Sequence, residues 1–271
     1  MNLISSELSE RDFKHVSDIV YSICGINLKN GKEALVRARL TKRLRVLKLG
    51  SFKEYMHLIN GDEGQKEIGF LIDAMTTNKT SFFRESAHFN YLRDVIIPET
   101  NTRKMRFWTA ACSSGEEPFS LCMLLHETIP NIALKDILIL ATDISVSMLK
   151  KARMATYGKE TIRDLPPTFL KKYFVQHRSK EGSLYRVKDD IRANVRFAWL
   201  NLLEPWPMRG PFNVIFCRNV MIYFDRPTQQ KLINRFWDIL ASGGHLFVGH
   251  SEGLSAIKHK FHYVQPAIYR K

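Results

Sequence analysis

Acid is scarce and cysteine scattered in this chain of 271 residues. Only 27 aspartates and glutamates stand against 41 lysines and arginines, a formal charge of +14. Cys24, Cys112, Cys122 and Cys217 form no CxxC pair, which argues against a zinc knuckle or a disulfide framework, and reduced thiols fit the cytosol. No metal is indicated: His259 and His262 have helical-pair spacing, but no ligand-rich cluster accompanies them. No apolar run approaches the ~18 to 20 residues of a membrane span. MNLISSELSERDF also lacks the basic-then-apolar order of a signal peptide. Direct membrane insertion is therefore not expected, and the expected location is cytoplasmic. Low-complexity tracts and internal repeats are missing too.

What is present can fold. At 45% hydrophobic residues, the chain can bury one medium core and a smaller one. Its positive excess asks for an acidic partner: nucleic acid, an anionic membrane surface or an acidic protein face. The charge is densest in KNGKEALVRARLTKRLRVLK, where Lys29, Lys32, Arg37, Arg39, Lys42, Arg43, Arg45 and Lys48 are opposed only by Glu33. At about 100° per residue, Val36, Leu40, Leu44 and Leu47 make one apolar stripe, with Arg39, Lys42 and Arg45 pointing away from it. That is a helix with a basic outer face, suited to docking or simply to solvation.

Residues 1–80 read as all-helical. SSELSERDFKHVSDIVYSICG opens on cap-type serines and carries Phe13, Val16, Ile19, Val20 and Ile23 at helical spacing; SFKEYMHLIN and EIGFLIDAMT continue the pattern. Residues 81–103 read as a linker. From 104 to 271 strands alternate with helices: MRFWTAA, PFSLCMLLHETI, DILILATDI, SVSMLKKARMATY, FNVIFC, RPTQQKLINRFWDILA and GHLFVGH. Such alternation predicts an α/β, doubly wound, Rossmann-like parallel sheet. Within it YFVQ, SLYRV and VRFAWL, a few residues apart, predict an antiparallel β-subdomain inserted at 172–200. FHYVQPAIYRK predicts a last, antiparallel edge strand.

In such sheets the ligand lies beyond the carboxyl ends of the strands, so ACSSGEE at 111–117 is the ligand loop. It shows neither GxGxxG nor GxxxxGK[ST], and Glu116 and Glu117 stand where a phosphate's charge would go. A ligand carrying cations suits it better. S-adenosylmethionine does, with an ammonium for a carboxylate and ribose hydroxyls for Asp143 at the end of the second strand. The bland alternatives are acids favouring a helix N-terminus and an aspartate acting as a helix cap.

Six motifs in order, NKTSFFRE (78–85), ACSSGEEPFS (111–120), ATDIS (141–145), NLLEPWP (201–207), CRNVMIYFD (217–225) and GHSEGL (249–254), carry a resemblance over essentially the whole chain. Together they are similar to the CheR family of chemoreceptor glutamate methyltransferases. The resemblance implies a class I S-adenosylmethionine-dependent methyltransferase domain with an antiparallel last strand, and a helical N-terminal domain. It implies methyl esterification of receptor glutamates, with S-adenosylhomocysteine as product. It assigns cofactor contacts to Asn78, Thr80, Arg84, Glu116, Glu117, Asp143, Asn201, Leu202, Arg218 and Asn219, and the active-site tyrosine to Tyr223. Arg84 and Tyr223 are expected to orient the incoming carboxylate. That carboxylate is already ionised at neutral pH, so no general base is required.

The same resemblance gives Arg37, Arg39, Lys42, Arg43 and Arg45 the acidic methylation helices of cytoplasmic receptor regions as partner. The hairpin loop QHRSKEGSLY lacks the GxGP stretch of members that hold a receptor-tail peptide, so such tethering is not expected. A nucleic-acid methyltransferase is the rival suggested by charge, but neither an [DNS]PP[YF] loop nor a Pro-Cys nucleophile is present; Cys217 follows Phe216. A non-catalytic cofactor-sensing module is the other rival. A monomer is expected.

Overall fold

The computed structural model describes residues 7–28, 31–62, 64–100, 103–179 and 182–271. Ser5 and Ser6 of the first cap, Lys29 of the basic run, and Lys180 with Glu181 of the hairpin loop lie outside the described residues.

Four helices come first: α1 (Glu10–Cys24), α2 (Glu33–Leu47), α3 (Phe52–Asn60) and α4 (Gly64–Met75). Ser9 caps α1 by accepting the Asp12 N–H at 3.1 Å, and Gly25 ends it in the left-handed region at φ 71°. Val16, Val20, Leu40, Leu44, Tyr55 and Leu71 pack into the core of this domain. Glu67 is buried among them, and its carboxylate takes two Arg43 nitrogens at 2.6 Å each and the Tyr55 hydroxyl at 3.0 Å. Arg43 also lies 4.1 Å over the Phe70 ring. Arg43, expected to contact a partner, is therefore tied inward, because a buried carboxylate must be paired.

Residues 81–103 are not a plain linker. α5 (Ser86–Tyr91) continues through a π-helical stretch (Leu92–Ile96) into α6 (Ile97–Glu99). Phe89, Leu92 and Ile96 are buried in the same core as Phe107 and Phe119, so the segment belongs to the sheet domain.

The chain then runs β1 (Lys104–Ala110), α7 (Glu116–Thr128), β2 (Asp136–Asp143), α8 (Val146–Met154), β3 (Thr156–Gly158), α9 (Pro167–Tyr173), β4 (Phe174–Ser179) and β5 (Gly182–Val187). It continues α10 (Asp189–Arg192), β6 (Val195–Trp199), β7 (Phe212–Cys217), α11 (Arg226–Ile239), β8 (Leu240–Val248), β9 (His262–Gln265) and β10 (Ile268–Arg270). A seven-stranded sheet has the order β6-β2-β1-β7-β8-β10-β9. Its first five strands are parallel, and β10 runs antiparallel to β8. The expected doubly wound sheet is present, with its order reversing between β1 and β7.

Four expectations need correction. The run at 195–199 is not in the inserted subdomain: β6 pairs with β2 and forms the parallel edge of the main sheet. The small antiparallel sheet is β3-β5-β4, so it starts before residue 172 and ends with β5 at Val187. The helix read through Tyr157 stops at Met154, since Ala155 turns left-handed at φ 52° and Thr156–Gly158 pairs with β5. At the C-terminus β10 is internal and β9 is the edge, because Ile268 and Tyr269 are buried whereas His262 and Tyr263 are exposed. No described helix is long and apolar enough to cross a membrane.

Candidate active site

The reversal of strand order opens a cleft at the carboxyl ends of β1, β2, β6 and β7, where doubly wound sheets bind ligands. About 870 Å³ of empty space, the open solvent at its mouth included, lies between its walls. Residues 76–80 and Arg84 from the segment after α4 line one wall, and Cys24 and Ile26 from the helical domain reach it as well.

The loop after β1 is shaped for close approach. Ala111, Ser113 and Gly115 all have positive φ, at 71°, 49° and 96°, and the N–H groups of Ala111 and Cys112 are fixed by the Thr142 carbonyl. A Cβ on Gly115 would lie 3.0 Å from the Ala152 Cβ and 3.2 Å from its Cα, so glycine serves both conformation and contact with α8.

Asp143, at the end of β2, is 6% exposed. One carboxylate oxygen accepts the Ser113 N–H and the other the Ser145 N–H, both at 2.8 Å. Burial raises its pKa, against the pull of those N–H groups. The helix cap belongs to Ser145, whose hydroxyl accepts from Met148 at 3.1 Å; Asp143 lines the cleft with acceptor capacity to spare.

The two loop glutamates part company. Glu117 lines the cleft and accepts from Arg218 at 3.0 Å. Burial raises its pKa and Arg218 opposes the rise. Glu116 does not line the cleft: the Ser114 hydroxyl donates to it at 2.7 Å, and burial raises its pKa also. The expected cofactor contact at Glu116 is therefore withdrawn in favour of Glu117.

Arg218 is the hub. With its side chain 1% exposed, it meets Glu117 and Glu85 at 3.0 Å each and donates to the Arg84 carbonyl. Asn219 adds a hydrogen bond to Glu85 at 3.1 Å. Burial works to raise the Glu85 pKa, but Arg218 and Asn219 outweigh it and the net shift is downward. His88 beside it is fully buried and pushed down to about 3 by burial and by the Arg218 charge, hence neutral. Glu85, His88 and His250 bring ligand-type atoms within 4.8 Å of one another, yet that carboxylate is already engaged by Arg218 and Asn219.

The remaining expected residues converge with different duties. Arg84 lines the cleft and donates to the Lys79 carbonyl at 2.6 Å. Asn78 donates to Thr76 at 3.0 Å, and its carbonyl accepts from Ser113; Thr80 shares the wall. Asn201 and Leu202 line the opposite side, but the Asn201 amide is occupied by the Ile23 carbonyl at 2.6 Å, Glu204 and Leu203, which ties the sheet domain to α1. Tyr223 ends a one-turn 3₁₀ segment (Met221–Tyr223) on the cleft wall, and its carbonyl accepts the Asn27 N–H at 2.9 Å.

On α2, Arg37, Lys42 and Arg45 are exposed. Arg39 instead donates to the Met75 carbonyl at 2.6 Å and to Thr77 at 2.8 Å; burial lowers its pKa while nearby Tyr223 favours its charge. Arg39, Lys42, Arg43, Val46, Ala74 and Thr76 line a surface groove, and Thr76 also lines the cleft.

Glu85 and Glu252 were missed in the sequence. Glu85 stood next to Arg84 in NKTSFFRE and Glu252 lay between glycines in GHSEGL; an acid in a strand-end motif is the signal that could have found Glu252, while Glu85, between α4 and α5, carried none beyond its motif.

The donor set fits S-adenosylmethionine. Half-buried Glu117 and buried Asp143 suit an ammonium and ribose hydroxyls, and Ile144, Leu200 and Leu202 offer an apolar wall to a purine. Because burial lifts both carboxyls above their ordinary values of 4.5 and 3.8, they lose charge earlier on acidification than free carboxylates do. Affinity for S-adenosylhomocysteine, measured calorimetrically, is accordingly expected to fall as pH drops, with onset above the ordinary carboxylate range. Constant affinity down to that range would contradict these two contacts.

Residues 78–269 match the CheR methyltransferase SAM binding domain, and residues 11–76 match the CheR methyltransferase all-alpha domain. A probable chemotaxis protein methyltransferase of Rhizobium etli is 40% identical over 258 residues, 93% of this chain and 96% of that one. The chemotaxis protein methyltransferase of Escherichia coli K12 is 40% identical over 255 residues, 94% of this chain and 88% of that one. That of Borreliella burgdorferi is 38% identical over 280 residues, 100% of this chain and 96% of its own.

Proposed function

The chain belongs to the CheR methyltransferase family, and from that premise we propose that it methylates glutamate side chains on the cytoplasmic helices of chemoreceptors, forming the methyl esters used in chemosensory adaptation. When bound, S-adenosylmethionine supplies an activated methyl group on a sulfonium. The observation that carries this reading is the position of α2. Its Arg39 reaches the rim of the cleft at Met75 and Thr77, and the groove beneath Arg39, Lys42 and Val46 meets the cleft at Thr76. An acidic helix laid along that basic groove delivers a glutamate to the cleft mouth.

A receptor glutamate arrives ionised and needs no base to remove a proton. The work of the chain is alignment and exclusion of water. Arg84 and Tyr223, both on the cleft wall, orient the carboxylate, while Glu117 and Asp143 hold the cofactor's ammonium and ribose. A firm grip on the attacking carboxylate is avoided, because its charge diminishes in the transition state.

Docking by α2 is tested with the variant Lys42→Glu, Arg45→Glu and a purified receptor cytoplasmic fragment. KM for the fragment should rise about tenfold, the loss of ~1.4 kcal/mol of binding, with kcat unchanged. Wild-type methylation should weaken as salt shortens the Debye length from ~10 Å at 0.1 M to ~3 Å at 1 M. Indifference to both changes sinks the docking role of α2.

A further inference from the structure

Tyr223, Asn219 and Arg218 share one loop after β7, and the group that fixes this loop comes from elsewhere in the chain. Glu252, in the loop after β8, is 7% exposed. One of its carboxylate oxygens accepts the N–H of Asn219 at 2.6 Å and of Gly249 at 2.7 Å; the other accepts the N–H of Ile222 at 3.0 Å. The Gly249 contact is local, as in any turn. The other two reach back 33 and 30 residues and grip the loop near both ends.

Two further observations make the grip consequential. Asn219 sits in the left-handed region at φ 57°, which asparagine tolerates better than most residues and which the Glu252 carboxylate fixes by taking its N–H. Gly249 has no room for a side chain, since a Cβ there would meet Glu252 Oε2 and Asn219 Nδ2 at 2.6 Å and the Asn219 backbone nitrogen at 3.0 Å. The two strand-end loops are thus pressed together around one carboxylate.

We propose that Glu252 is a positioning residue for methyl transfer, which sets the Tyr223 end of the loop by holding the Ile222 N–H. This rests on the reading of Tyr223 as the group that orients the substrate carboxylate. Glu252 does not line the cleft itself, so it acts through the loop.

The test is Glu252→Gln. An amide has one acceptor oxygen; kept on Asn219 and Gly249, it leaves an NH2 facing the Ile222 N–H, donor against donor. The Asn219 end stays held and the Tyr223 end loosens. Amide hydrogen exchange of the 218–224 segment should accelerate while exchange in β1 and β2 stays as in the wild type. The kcat for receptor methylation should fall about tenfold, and KM for S-adenosylmethionine should stay within about threefold. Combined with Tyr223→Phe, the losses should fail to multiply, since both variants disturb one group.

Unchanged exchange in that segment, wild-type turnover, or losses that multiply overturn the proposal. Should the glutamine variant not fold, Glu252→Asp, one methylene too short to keep both ends, replaces it with the same expected readouts. If the wild type itself transfers no methyl group to receptors, the proposed function fails, and the exchange measurement alone still decides the clamp.

Discussion

Replacing Asp143 with alanine lowers the affinity for S-adenosylhomocysteine by about a hundredfold in isothermal titration calorimetry, a loss of ~2.8 kcal/mol. Two effects combine. The proposed ribose hydrogen bonds end on a charged acceptor, and each such bond contributes about 1.5 to 3 kcal/mol. The Ser113 and Ser145 N–H groups also lose their 2.8 Å acceptors, so the loop after β1 is no longer braced in its positive-φ conformation. Asp143→Asn separates the effects: it preserves size and one acceptor, and should fall between wild type and alanine. A loss below about fivefold in the alanine variant places the ribose elsewhere.

The second large effect is on stability. Arg218→Ala leaves Glu85 and Glu117, each with a side chain 13% exposed, without the cation they share. Breaking a buried pair from one side typically costs about 3 to 5 kcal/mol, a large part of the roughly 5 to 15 kcal/mol that holds a domain folded. Urea denaturation should show that loss as a lower midpoint at similar slope. The pH dependence has a definite sign. Without Arg218, burial holds the Glu117 carboxyl further above its unfolded value, so the folded state binds more protons than the unfolded one between those two values. Stability then falls as pH rises through that window, and acidification from neutral pH recovers part of the loss. A loss under about 1 kcal/mol, or one that deepens on acidification, contradicts the role of Arg218 as the shared counter-ion.

Legibility in the sequence followed locality. Asp143 could be read because it ends β2, and Glu117 because it opens α7 behind the loop after β1; such loops are where these sheets place ligands. Arg43, which the resemblance gave to a partner, is instead tied to Glu67, 24 residues away on α4, a pairing that no helical pattern reports. The ties of Arg218 to Glu117 and to the Arg84 carbonyl span 101 and 134 residues, and no periodicity reports them.

The β6 error has the same root. A five-residue run soon after β5 has the spacing of a hairpin, and only its pairing with β2 across Ile139↔Val195 to Asp143↔Trp199 assigns it to the main sheet. That assignment matters for the site, since Asn201 and Leu202 follow β6 directly. The supposed linker carried its signal in plain sight: Phe89, Leu92 and Ile96 recur at helical spacing and are buried. Pro98 and a π-helical stretch obscured it.

The central claim is the bond that the chain makes. Methyl-labelled S-adenosylmethionine and the purified protein, incubated with separated membrane and nucleic-acid fractions, give a direct test when the labelled products are treated with mild base. Glutamate methyl esters release the label as volatile methanol from membrane protein, and that is the predicted result. Label that survives base, or that nuclease removes, contradicts it.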